Sequence, residues 1–239
     1  MTNHAILNTG DHGDLRVHTH ADAALGDAAM AALAVPAEFR RLQGEYPILF
    51  KRDAESGAFS ALALLGFENG ENLFLQGDRW DAGYRPMSMA IQPFLIGRSE
   101  SGEGQGQVHV DLDHPRISTS GEGTRVFDED GKPTPYLERI AEMLGVLDES
   151  YRSSGDFFAA LERYELLEPF TLEVPLSDGS KNSLVGFHIV DEAKLRTLDG
   201  DALADLHGNG HLFPIFMAMA SLSQLSGLIA RKDAKQARG

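Results

Sequence analysis

FSALALLGFENGENLFLQGDRWDAGYRPMSMAIQPFLIGR, residues 59–98, is the stretch whose reading decides the fold class. Short apolar runs alternate with turn residues along its length. Ser60 to Leu65 is an apolar run of strand length, and Gly66 ends it. Glu68-Asn69-Gly70 is a turn signal, because Asn and Gly accept positive φ at low cost. Asn72 to Leu75 returns as a short apolar segment, and Gly77-Asp78 turns the chain again. Pro86 and Pro93 push the residues before them toward extended backbone. Phe94 to Gly97 then reads as a strand. Trp80 and Tyr84 lie four apart and would share a face if this piece were helical.

Two readings of the aromatic residues follow. Trp80, Tyr84 and Phe94 form a core cluster, since large aromatics dominate burial. Alternatively they wall a ligand pocket, with Asn72 and Arg85 as its polar contacts. On the second reading the turns at 68–72, 77–79 and 83–86 gather over strands 59–65 and 94–97, and loops on a rigid scaffold concentrate binding residues. The guanidinium fork of Arg85 suits a small acid or an acid-bearing glycan. The plainer role for Arg85 is a surface ion pair with Asp81.

Working outward, Pro47 to Lys51 and Phe59 to Leu65 form a predicted hairpin across Ser56-Gly57. Ala5 to Leu7 and Leu15 to Val17 are short strands joined by a Gly-Asp-His-Gly turn. Val35-Pro36 opens a helix reaching about Gly44. Gly102 to Gly106 is a loop, and Val108 to Leu112 alternates as an edge or half-buried strand does. Thr134 is a predicted N-cap with Pro135 at the first helical position. Leu137, Ile140, Ala141 and Leu144 have helical spacing, and Phe157, Ala160, Leu161 and Tyr164 mark a second helix. Phe170 to Leu176 and Leu184 to Val190 are strands around an Asp178-Gly179 turn, and the remainder is helical. The pattern is α+β, a mainly antiparallel sheet with helices concentrated in the C-terminal half, read as one domain over residues 1–239.

Net charge is −15, from 36 acidic and 21 basic residues. That argues against nucleic acid and anionic membrane partners, which select for clustered Lys and Arg. There is no cysteine, so neither disulfides nor thiolate chemistry enter. No basic n-region with an apolar h-region opens the chain, which predicts a cytoplasmic protein. The uncharged run Leu212 to Ala230 has the length of a membrane span. Its interrupting Pro214, Ser221, Ser223, Gln224, Ser226 and Gly227 favour a buried helix with Leu212, Ile215, Phe216, Met219 and Leu222 on one face, and no transmembrane span.

The chemical candidates are few. His109-Val110-Asp111 places two ligands on one face of a strand, as the H-x-D pair of an Fe(II)/2-oxoglutarate oxygenase does. His188 would be the third ligand, and Arg196 would stand near the co-substrate carboxylate. Against this, H-x-D arises often by chance, and a helical C-terminal third leaves too few late strands for a jelly roll. His18-x-His20 lacks a third ligand at defined spacing. Asp128-x-Asp130-Gly131 lacks the other ligands of a calcium loop and reads as a turn. Gly102-x-Gly104-x-Gly106 opens no helix and cradles no phosphate. No G-x-S-x-G elbow supports Ser-His-Asp catalysis. His207-Gly208-Asn209-Gly210-His211 ends one helix and caps the next, with Asn209 as cap.

Taken together, EYPILFKRD at 45–53, LLGFENGENLFLQGDRWDAGYRP at 64–86 and QPFLIG at 92–97 resemble the SapC family of bacterial proteins. The resemblance extends through HAILNTGDHGDLRV at 4–17, VPAEFRRL at 35–42, RVFDEDGKPTPYL at 125–137 and GFHIVDEAKLRTLDGDALADLHGNGHL at 186–212. One departure is RPMSMAIQPF at 85–94, where the family carries a more basic segment. The family is associated by name with S-layer proteins and is distinct from the permease sharing that name. The resemblance implies a non-catalytic accessory or binding protein linked to the cell envelope or nutrient uptake, with an envelope or S-layer protein as partner; the small acidic or glycan ligand is what Arg85 suggests. The resemblance implies no cofactor. Surface association is what the family name implies.

Overall fold

A computed structural model describes residues 3–97, 106–175 and 181–237. The expected turn at Asp178-Gly179 and most of the Gly102–Gly106 loop lie outside the described residues. The first half runs β1 (His4–Ile6), α1 (Thr9–His12), β2 (Arg16–Val17), β3 (Ala31–Ala34), α2 (Phe39–Leu42), β4 (Ile48–Arg52) and β5 (Phe59–Leu64). There follow β6 (Leu75–Gln76), β7 (Arg79–Trp80), α3 (Met87–Ala90), β8 (Phe94–Gly97), β9 (Gln107–Asp111) and β10 (Thr124–Arg125). The second half holds α4 (Pro135–Arg163), β11 (Leu167–Pro175), β12 (Lys181–Val190), α5 (Glu192–Arg196), α6 (Gly200–Gly208), α7 (Leu212–Ser221) and α8 (Gln224–Gln236). Every strand pair among these is antiparallel and the longer helices follow residue 134, so the class is α+β as expected.

The chain divides into two compact units. The first comprises Met1–Ala28, Leu75–Asp81 and Met87–Glu149; the second comprises Ala29–Phe74, Ala82–Pro86 and Ser150–Gly239. The first unit carries a three-stranded sheet in the order β1-β9-β8 and the small pairs β10-β2 and β6-β7. Strand β9 is therefore central, not an edge. Its His109 passes over Gly97 of β8, where a Cβ would stand 2.1 Å from the imidazole, so any larger residue there would have to displace that ring. Strands β1 and β2 do not pair with each other. The residues expected as their turn form α1, because the Asn8 side chain caps it by accepting from the Asp11 amide. Phe94 is buried in this unit against Tyr136, with ring centroids 6.2 Å apart.

The second unit holds a five-stranded sheet in the order β11-β12-β4-β5-β3. The predicted hairpin of β4 and β5 is present, with Arg52 opposite Phe59 and Ile48 opposite Ala63. Ile48, Leu49 and Phe50 are all buried. Successive strand residues point to opposite faces, so this part of β4 is covered on both sides. Phe39, Phe50, Phe157 and Phe158 form an edge-to-face ring cluster with centroids 5.4–6.4 Å apart.

Two helical expectations change. The helices foreseen at 134–144 and 157–164 are one helix, α4. Ser153 and Ser154 do not break it, because their hydroxyls bond back to the Ser150 carbonyl at 3.2 and 2.5 Å, and the apolar face continues to Leu161. The run from Leu212 is α7 and α8, parted at Leu222 and Ser223. Its buried face is Pro214, Ile215, Ala218 and Ser221, while Phe213 and Phe216 are 52% and 48% exposed. The Ser221 hydroxyl accepts the Ile48 amide at 2.8 Å, so a hydrogen bond to β4, and not side-chain size, sets which face turns inward. The 25 residues Leu212–Gln236 are long and apolar enough to cross a membrane, and 28% of their apolar window is buried in the protein.

Candidate functional site

The residues singled out around 59–98 are spread over both units. Asn72, Tyr84 and Arg85 belong to the second, and Trp80 and Phe94 to the first. Trp80 is not helical; it lies on β7 opposite Leu75 and is half-buried. Asn72 is buried, and its side-chain oxygen accepts the Phe74 amide at 2.9 Å, closing a local turn. The Tyr84 hydroxyl donates to Glu38 at 3.0 Å, its carbonyl accepts the Tyr46 hydroxyl, and Arg41 lies 5.6 Å over its ring. Burial, together with the Glu38 charge and hydrogen bond, raises the Tyr84 pKa, so the phenol stays neutral.

The turn at 66–73 has a structural role that its sequence alone did not reveal. Glu71 is buried and accepts from the Phe67 amide at 3.1 Å. Its other oxygen and that of Glu68 receive the Lys232 ammonium at 2.9 and 2.8 Å, tying the turn to α8. A Cβ on Gly66 would meet the Glu71 carbonyl oxygen at 2.6 Å, so the close fold-back requires glycine there.

The metal reading gains no support. His109 and Asp111 lie on β9 and His188 on β12, in separate sheets. Asp111 stands 3.9 Å from His4 and accepts the Asp113 amide. The His188 ring packs edge-on to Phe59, 5.0 Å between centroids, and burial lowers its pKa. Among the described residues no group of three or more His, Asp or Glu is placed to hold a metal ion. The His18 and His20 carbonyls accept from Arg116, and Asp128 closes its turn by accepting the Asp130 and Lys132 amides. Asn209 does not cap α7 as expected but closes the C-terminus of α6, because its side-chain amide bonds back to the Asp205 carbonyl; His211 takes the position before α7.

The most ligand-like surface lies elsewhere, within the second unit. The C-terminal half of α4 crosses β3 and β5, leaving an apolar cleft of about 410 Å³. That volume is in the range of small-molecule sites. Tyr151, Ser154, Gly155, Phe158, Ala159 and Glu162 supply one wall. Their spacing of three and four residues puts them on one helix face. Opposite stand Leu33, Ala34 and Val35 at the end of β3 and Phe59 to Ala61 of β5, with Ala34 opposite Ala61 in register. The cleft exists because alanine, serine and glycine occupy the crossing. Phe59 and Phe158 are its aromatic walls.

Charged groups stand at both ends. Near Val35, buried Glu38 accepts the Val35 amide at 3.3 Å. Burial and the Glu38 charge raise the Tyr151 pKa, keeping that phenol protonated. Eleven residues along, about 16 Å of helix, Glu162 meets Arg52 at 3.7 Å. Arg52 also donates to the Gly57 carbonyl at 2.9 Å and lies 5.5 Å over the Phe59 ring. Sequence reading missed this site because 134–144 and 157–164 read as two helices, which divides the face that runs from Tyr151 to Glu162. The usable signal was the series of small residues at 154, 155 and 159 interleaved with Tyr151 and Phe158.

No curated protein and no solved structure matches the chain. A family model described as SapC matches residues 7–228, nearly the whole length and both units. The chain therefore belongs to the SapC family.

Proposed function

We propose that this SapC-family chain is a non-catalytic binding protein serving the cell envelope or nutrient uptake, and that its ligand seat is the cleft between α4 and the β3-β5 edge of the sheet. The observation that carries this reading is the cleft itself: mostly apolar walls, a phenylalanine on each, and charged groups only at its ends. Such a surface favours a small ligand with an apolar body over a bare glycan. The polar side chains lining it are hydroxyls and one carboxylate, which suit orientation of a ligand more than attack on it. The cleft is preferred to the group Asn72, Trp80, Tyr84, Arg85 and Phe94 because its lining lies within one unit, whereas that group is divided between the two. The chain is further read as working in water, since Lys232 of α8 is held by protein carboxylates.

Gly155 gives a direct test. A Cβ there meets no atom within 4 Å, so Gly155→Leu fills the cleft without a clash at its base. Wild type should bind an apolar fluorophore such as anilinonaphthalene sulfonate at a saturable site. Gly155→Leu, with unchanged circular dichroism, should lose that binding at least tenfold. Equal binding by both proteins removes the cleft as the seat, and Arg85→Ala then tests the other group.

A further inference from the structure

We propose that the cleft selects a slender monocarboxylic acid, seated with its carboxylate at Arg52 and its tail toward Val35 and Tyr151; this rests on the cleft being the ligand seat. The argument is one of polarity between the two ends. The Val35 end is hostile to an anion. Glu38 is 1% exposed and its oxygens are taken by the Val35 amide and the Tyr84 hydroxyl. Burial first, and the Glu38 field second, raise the Tyr84 and Tyr151 pKa values, and another carboxylate beside Glu38 would be repelled in the same poorly solvated setting.

The opposite end offers a cation. Arg52 is oriented from two sides, by the Gly57 carbonyl and by the face of Phe59, a wall of the cleft. Its remaining partner, Glu162, stands at 3.7 Å, well beyond the 2.7–2.9 Å of a charge-assisted hydrogen bond. Both side chains of that pair are about half exposed, so the pair is a weak one. A ligand carboxylate entering over Phe59 reaches the same guanidinium edge and can form the bidentate pair that Glu162 does not. Between the ends, Ala34, Ala61, Gly155 and Ala159 leave width for a single chain or one ring, flanked by Phe59 and Phe158.

The test compares decanoate, decanol and decylamine by isothermal titration on the full chain. Wild type should bind decanoate at least tenfold more tightly than decanol, and decylamine most weakly. Arg52→Gln, an exposed substitution, should bring decanoate to the decanol level while leaving decanol unchanged. Glu162→Gln should tighten decanoate several-fold by freeing Arg52. Equal binding of acid and alcohol by wild type, or an acid preference that survives in Arg52→Gln, overturns the inference and leaves the apolar cleft standing. If none of the three amphiphiles nor the fluorophore binds wild type, the cleft reading fails and the inference with it.

Discussion

Arg116 in the first unit and Lys232 in the second are both nearly buried cations, 2% and 5% exposed, yet they are held in different ways. Arg116 spends its fork on three acceptors, the His18 and His20 carbonyls at 2.8 and 2.9 Å and Asp27 at 2.5 Å. Asp27 is itself 2% exposed. Lys232 meets two carboxylates of unequal burial, the Glu71 side chain at 6% exposure and that of Glu68 at 57%. The first arrangement is sealed and planar, so it fixes loop backbone. The second is open on one side, and only its inner half carries a large desolvation penalty. Number of charges is thus a poor guide to what a cluster contributes; burial of the partner left behind decides it.

The comparison predicts a ranking of substitutions. Arg116→Ala takes the charged donor from two carbonyls and from buried Asp27, which keeps the Asp22 amide at 2.9 Å, and should destabilise the first unit by about 3–5 kcal/mol. Arg116→Lys should recover little of this, because an ammonium lacks the planar fork. Urea unfolding followed by residue-resolved hydrogen exchange reads both, and a loss under 1 kcal/mol for Arg116→Ala would break the contrast. In the second unit, Lys232→Ala leaves buried Glu71 with the Phe67 amide and the more distant Lys235 at 3.4 Å, and should lose about 3 kcal/mol. Glu68→Gln should cost less than about 1 kcal/mol, as an exposed pair does. Equal losses for Glu68→Gln and Lys232→Ala would show that the outer carboxylate matters as much as the inner one.

Titration sharpens the same contrast. In the first unit, burial and then the Arg116 charge lower the His114 pKa below its usual 6.5. The His114 ring nitrogen accepts the Arg116 amide at 3.1 Å, which protonation forbids. A depressed histidine contributes stability that is complete above pH 6.5 and is lost as pH falls through its folded value. In the second unit the Glu68 pKa is lowered below 4.5 by Lys232 and Asn182, so its contribution is lost only under more acid conditions. For Lys232, burial pulls the pKa down but the Glu68 and Glu71 hydrogen bonds outweigh it; the net raised value means its contribution is lost only as pH rises beyond 10.5. Between pH 7 and 5 exchange protection should therefore weaken around His114 before it weakens around Lys232. Simultaneous loss in both places would contradict the assignment. The smallest expected effect is at α4, where Gly155→Ala should raise the melting temperature slightly, by about 0.5–1 kcal/mol of helix propensity.

Local signals carried much of the architecture. The hairpin of β4 and β5, the turn at 68–70, the Thr134-Pro135 start of α4 and the two late strands are set by residues within a few positions of one another. Asn-Gly pairs, prolines and period-two patterns act at that range. Non-local pairing was not legible. Nothing near Leu15 says that β2 joins β10, and nothing near Val108 says that β9 lies between β1 and β8. The aromatic cluster was expected at Trp80, Tyr84 and Phe94. The ring cluster of the second unit instead gathers Phe39, Phe50, Phe157 and Phe158 from three distant segments.

By itself, the sequence determined the α+β class, the turn-rich middle and membership of the SapC family, because each rests on residue types in order along the chain. Tertiary structure alone decided that Lys232 closes on Glu71, that Ser221 turns α7 by holding the Ile48 amide, and that the small residues of α4 stand over Ala34 and Ala61. Those contacts join positions up to 173 residues apart. Burial, and with it the strength of every charge and the presence of the cleft, is created only when such segments meet.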